Sequence, residues 1–273
     1  MKIIMRTTLT VLLLLAFAFS NAQEKEIKAV IETNMGNMIV KLYNDTPKHR
    51  DAFVELVKSG HYDGTLFYRV IKNFMIQGGS SDSKNAIPGQ VIGYGKSRII
   101  DSEIRDHHYH KKGALAAPRQ PDRVNFFKES DIAQFYIVDG RKYPMEELEL
   151  IEKKINNPIR NAIQRKYLTK EKRALLDTLR KQNKVDEFRE IANRIKQDIA
   201  FEWEANTQKI YMPEDKKEAY STLGGVDHLD REYTVFGEVI EGLDIIDKIA
   251  ALATDSSDRP LKDVRIKVRI ISE

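Results

Sequence analysis

The stretch Phe67-Tyr68-Arg69-Val70-Ile71-Lys72-Asn73-Phe74-Met75-Ile76-Gln77-Gly78-Gly79 limits what this chain can fold into more than any other. β-Branched and aromatic residues fill it, Lys72-Asn73 interrupts it, and a glycine pair ends it. It predicts two short strands joined by a tight turn. One cation, Arg69, stands among large apolar groups, and a lone amide, Gln77, stands at the far end. A core strand seldom carries an Arg unless its charge is paired or used. Arg69 is therefore either half of a structural ion pair or the fixed donor in the wall of an apolar pocket.

The flanking chain supplies more strands. Ile27–Thr33 and 37–42 alternate apolar and polar around an Asn34-Met35-Gly36 turn, the pattern of a hairpin. Thr46 is placed to cap a helix that has Pro47 at its first position, Ala52, Phe53, Leu56 and Val57 on its apolar face, and Gly60 at its end. Ser80–Lys96 predicts a long loop and 99–104 a short strand. Gly113–Ala117 predicts a tightly packed strand and Gln134–Val138 a buried one, closed by Asp139-Gly140.

The pattern changes at Pro144. From there to Tyr220 the chain has no glycine, dense charge and helical spacing. Ile151, Ile155, Ile159 and Ile163 share a face that Pro158 breaks or kinks. Thr169 is placed to cap a second helix with Leu175, Leu176 and Leu179. Asn183 is placed to cap a third with Phe188, Ile191, Ile195, Ile199 and Trp203. Strand signals return at 233–239, a helix is expected over 243–253, and 265–270 alternates as a final strand. The expected segments are 1–22, then a β unit over 23–143, a helical hairpin or small bundle over 144–220, and the rest of the β unit over 221–273. Many short strands with two helices suggest a closed β-barrel.

Composition narrows the function. Of 273 residues 32% are charged, yet the net charge is only +4, which gives no concentrated basic surface and argues against nucleic acid as a partner. The absence of cysteine excludes disulfides, thiolate nucleophiles, thiolate-bound zinc and lipid attachment at cysteine. Lys2 and Arg6 precede an apolar run from Leu9 to Phe19 that is short for a membrane span, and Ser20-Asn21-Ala22 offers a cleavage site after Ala22. The first 22 residues therefore read as a secretory signal, with no membrane span left after cleavage.

Phe67–Ile71 with Phe74–Gly79 resembles the signature of the cyclophilin-type peptidyl-prolyl isomerases. Gly113-Ala114-Leu115-Ala116, Ala133-Gln134-Phe135-Tyr136-Ile137, and Leu229 with 233–239 match further blocks of that family in order. The resemblance covers 27–140 and 220–272. It implies a mainly β fold: a closed eight-stranded antiparallel barrel capped by two helices, here with an inserted helical unit. It implies Arg69 as the catalytic arginine and Gln77 as the group that hydrogen-bonds the substrate backbone. Phe74, Met75, Tyr136 and Leu229 would form the proline pocket. Pro118, Arg119, His228 and Tyr233 occupy substrate-binding positions where many members carry Ala, Asn, Trp and His, and Tyr136 adds a hydroxyl at the pocket rim where Phe is common. Proline also removes a backbone donor at 118.

The resemblance implies rotation about X-Pro bonds in proline-containing peptides and unfolded clients, with no cofactor and no metal. An exported isomerase of this kind would assist folding, in the periplasm if the cell is Gram-negative. The rival reading is a non-enzymatic proline binder or holdase that grips clients with the helical insertion. That insertion is a structural appendage, a client or partner surface, or a dimerisation element, with Trp203 and Tyr211 expected in its core. His107-His108-Tyr109-His110 offers imidazoles at i, i+1 and i+3, but the sequence positions no clear acidic partner to share a ligand with them, and the segment precedes a strand. That run reads as a solvated loop.

Overall fold

The structure, a computed structural model, describes residues 26–272. The expected secretory signal and the cleavage site expected after Ala22 lie outside the described residues. No described helix is long and apolar enough to cross a membrane. The chain divides into two compact units: one holds the chain up to Arg141 together with Leu223 onward, the other Lys142–Thr222.

The first unit is mainly β. Ten strands run β1 Lys28–Thr33, β2 Gly36–Leu42, β3 Phe67–Ile71, β4 Met75–Gly78, β5 Ile99–Ile100, β6 Ala114–Ala116, β7 Ser130–Asp131, β8 Phe135–Val138, β9 Val235–Glu241 and β10 Ile266–Ser272. Eight form one antiparallel sheet in the order β10-β1-β2-β9-β6-β8-β4-β3; β5 and β7 pair separately. The sheet curls, but its ladder is not continuous around the circle. Between the edge strands β3 and β10 there is the single bridge Leu66–Arg265, with backbone hydrogen bonds from Phe67 N to Val264 O (2.9 Å), Gly64 N to Ile266 O (2.9 Å) and Ile266 N to Thr65 O (2.8 Å). The expected strand over 99–104 shrinks to its first two residues, because Glu103 turns away to serve a helix.

Both faces of this sheet are covered. Phe135, Ile137, Ile76, Leu115 and Phe236 face the main core, which also takes Ala52, Phe53 and Val57 from α1 (Pro47–Lys58) and Ile245, Ile246 and Ile249 from α7 (Leu243–Ala250). The intervening residues Tyr136, Val138, Met75, Ala114 and Ala116 face outward. There they meet Val226, Leu229 and Val235 in a second, smaller cluster. Strict alternation between two buried faces makes these strands look uniformly apolar in sequence. The second face is the one that carries the site.

The cap of α1 differs from the expectation. Thr46 makes no side-chain cap bond. Glu103 caps the helix instead: its carboxylate accepts from Lys48 N at 3.2 Å and His49 N at 2.9 Å, and it also meets His49 Nδ1 at 2.8 Å. An acid at a helix N-terminus satisfies orphan N–H groups and complements the helix dipole, here from 55 residues away.

The second unit contains five helices: α2 Met145–Ile155, α3 Asn157–Tyr167, α4 Lys170–Lys181, α5 Val185–Ala205 and α6 Glu214–Thr222. Pro158 does divide the first helical stretch, at Asn156. Thr169 caps α4 through Lys172 N. Asn183 does not cap α5; it adopts φ 56°, a left-handed turn residue. The helix α6 was not foreseen, and Tyr211 is exposed rather than packed (65%).

Candidate active site

Cross-strand pairing places Arg69 opposite Gln77 and Ile71 opposite Met75, so these four side chains share the outer face of the β3–β4 hairpin. The turn between the strands is held by a distant loop. Asn73 sits at φ 62° and donates its N–H to the Asp139 carboxylate at 2.7 Å, while Phe74 O accepts from Asp139 N and Gly140 N. Gly140 is required there. It adopts φ 65°, and a Cβ would lie 2.6 Å from the backbone of Gly225.

A cavity of about 260 Å³ opens on this face. It is lined by Arg69, Phe74, Met75, Gln77, Pro118, Arg119, Tyr136, Leu229 and Tyr233. The structure thus brings together nine of the ten residues anticipated from sequence. The tenth, His228, does not line it; its ring stacks on Phe74 at 5.7 Å between centroids. Arg69 is not a buried structural ion. Its side chain is 41% exposed at the rim, and its Nε stands 3.6 Å from the equally exposed Asp258. Such a pair is worth about 0–1 kcal/mol. The guanidinium is available to a ligand.

Two side chains act differently from the expectation. The Tyr136 hydroxyl is not on the rim. It points away from the cavity onto His110 Nε2 at 2.9 Å, and His110 Nδ1 meets Asp230 at 3.0 Å. Burial holds the Tyr136 phenol well above its usual pKa, so it stays protonated. Arg119 has 4% of its side chain exposed. Its guanidinium is occupied by Glu232 (2.9 Å) and Asp122 (2.6 Å) and lies 4.7 Å over the Tyr233 ring. It braces that ring as part of the cavity wall, with its charge already paired. Lys128 closes the same cluster by pairing with Glu232. The Pro118 carbonyl accepts from Asp131 N at 2.8 Å.

Gln77 is held by two groups that sequence reasoning missed. Its Nε2 donates to the Tyr68 hydroxyl at 2.8 Å and to Gln134 Oε1 at 3.3 Å, and Tyr68 in turn donates to Gln134. Burial raises the Tyr68 phenol as well, which keeps it a donor. His110 and Asp230 were also missed. The signal for His110 was the hydroxyl at Tyr136: a buried phenol needs a partner. A second cavity, of about 460 Å³, shares Arg69, Gln77, Pro118 and Arg119 with the first and extends past Gly93 and Gln134.

The family model for cyclophilin type peptidyl-prolyl cis-trans isomerase/CLD matches residues 28–151 and 211–270, well over half of the chain. The chain belongs to the cyclophilin-type peptidyl-prolyl cis-trans isomerases. This cyclophilin is 28% identical to a Staphylococcus epidermidis protein named for peptidyl-prolyl cis-trans isomerase activity, over 90% of this chain and 91% of that one. It is 29% identical to a Streptococcus pyogenes protein named as a bifunctional phosphatase and peptidyl-prolyl isomerase, over 88% of this chain, but spans only 37% of that longer protein. A Cryptosporidium parvum cyclophilin type isomerase superposes on it with TM-score 0.51 at 18% identity, covering 91% of this chain and 99% of that one, which bears on the fold alone.

Proposed function

We infer that this cyclophilin accelerates cis–trans rotation of X-Pro bonds in peptides and unfolded chains. The observation that carries the reading is the cavity of about 260 Å³ in which Arg69 stands at the rim of an apolar floor made by Phe74, Met75, Tyr136 and Leu229. The barrier to rotation, ~18–20 kcal/mol, is lost amide resonance. No covalent bond is made, so no nucleophile is needed. In the twisted state the proline nitrogen becomes pyramidal and its lone pair accepts a hydrogen bond. A guanidinium beside it stabilises that state over either planar one. The apolar floor holds the ring while the preceding residue turns, and Gln77, fixed by Tyr68 and Gln134, is set to meet the substrate backbone. The test is a protease-coupled or NMR-exchange assay of wild type against Arg69→Ala. An unchanged rate would sink the assignment of Arg69.

The wider reading is an exported folding assistant whose first 22 residues are removed, periplasmic if the cell is Gram-negative; the composition of that segment supports it. A mature protein beginning at Gln23 is expected, and retention of the leader in secreted material would overturn it. The curled sheet is taken as a barrel seamed at Leu66–Arg265, which the hydrogen bonds there support. Residues 144–220 are taken as an insertion, supported by the gap in the family match over 152–210 and by the compact unit Lys142–Thr222. Its exposed Phe201 (78%) and Tyr211 (65%) suit client contact. Replacing both by Ser should weaken suppression of client aggregation; no change would clear the insertion of that role.

A further inference from the structure

We propose that Asp45, His107 and His108 form a binding site for a divalent transition-metal ion of the zinc class, separate from the isomerase cavity. Asp45 lies in the turn before α1, and His107 and His108 lie in the loop that follows β5. Sequence places the acid and the imidazoles 62 residues apart, and the fold brings them together. His107 Nε2 meets Asp45 Oδ2 at 2.8 Å, and His108 Nε2 meets Asp45 Oδ1 at 2.8 Å. The ligand atoms of all three residues lie within 4.8 Å of one another.

Adjacent residues of a strand or helix cannot aim two rings at one point. Here the turn at Asp106-His107 does so, and both rings offer the same nitrogen to one carboxylate. A simple surface ion pair would need only one of them. Two imidazoles and a carboxylate are a donor set suited to Zn²⁺ and poorly suited to Mg²⁺ or Ca²⁺. On binding, each neutral imidazole gives its Nε2 lone pair to the ion and keeps its one ring proton on Nδ1.

The supporting contacts fix two of the three ligands. The His108 ring stacks on Tyr43 with centroids 3.9 Å apart and 15° between planes. Arg105 donates to the Asp45 carbonyl through Nε (3.1 Å) and a terminal nitrogen (2.7 Å), which locks the two loops together from the backbone side. His107 is 65% exposed and Asp45 40%, so a further coordination position opens to water. An ion here would clip the entrance of α1 to the loop that carries His110, the partner of Tyr136.

The experiment uses the full chain, dialysed against a chelator and titrated with zinc chloride by calorimetry, with thermal unfolding followed in parallel. One ion per chain is expected, with a rise in Tm at saturation. His107→Gln removes an exposed ring and Asp45→Asn keeps an acceptor oxygen, so both should fold. Each should bind zinc at least ~10-fold more weakly while its metal-free Tm stays close to wild type. Calcium chloride should give no rise. Absence of zinc binding by the wild type, or binding unchanged in His107→Gln, would overturn the site.

Discussion

Arg69, Phe74, Met75 and Gln77 stand on one hairpin, held by a β ladder and a pinned turn. The rest of the cavity wall comes from separate segments: Pro118-Arg119 after β6, Tyr136 on β8, and Leu229 and Tyr233 before β9. That wall is held by side chains. Arg119 is spread over Glu232, Asp122 and the Tyr233 ring, and Tyr136 hangs on His110 and Asp230. The hairpin wall presents the group placed to do chemistry. The composite wall devotes its polar groups to its own shape. Substitution of the exposed Arg69 on the first should change rate without stability, and substitutions on the second should change stability and ligand fit.

The largest effect is expected at Arg69. Arg69→Ala should lower kcat/KM by roughly 10²–10³-fold, as loss of a donor to a transition state does. Denaturation midpoints should stay near wild type, because its ion pair with Asp258 is exposed. A large loss of stability instead would erase the contrast between the walls. Next is His110→Leu, which deprives the buried Tyr136 hydroxyl of its partner and should cost about 1–3 kcal/mol in urea melts. Adding Tyr136→Phe should recover part of that loss; strict additivity of the two would show that the pair is not coupled. Arg119→Met should cost only about 1 kcal/mol, because the stranded Glu232 and Asp122 reach water, but it should raise KM as the Tyr233 ring loosens. An unchanged KM would mean that Tyr233 needs no brace.

The smallest effect lies off both walls, at Glu238 on β9. Burial pushes its carboxyl up, but Lys111 and Lys41 outweigh that and hold the net pKa below the ordinary value. A depressed folded pKa gives stability that is present above the ordinary carboxylate range and lost as pH falls through the lowered one. Glu238→Gln should therefore flatten the acid limb of the stability–pH curve by less than about 1 kcal/mol, and an unaltered limb would show that the two lysines contribute nothing.

The hairpin wall was legible because its residues are contiguous: one strand pair puts Arg69, Met75 and Gln77 on one face by alternation alone. The longer strands, both capping helices and the helical character of 144–220 were legible for the same reason, since each depends on local spacing; the two-residue pair β5 and β7 was not. What failed was the assignment of polar groups to partners. Thr46 was expected to cap α1, but Glu103 does; Asn183 was expected to cap α5, but turns; the Tyr136 hydroxyl was expected on the rim, but is buried. The His107–His110 run looked solvated, yet the fold gives His107 and His108 a shared carboxylate and turns His110 inward. The sequence by itself determined the family, the hairpin and the identity of the cavity's apolar lining. Only the tertiary structure decided which charges are available and which are occupied. A hydrogen bond between residues 26, 55 or 120 positions apart leaves no periodic trace, and the buried polar atoms that demand it are satisfied by whatever the fold brings near.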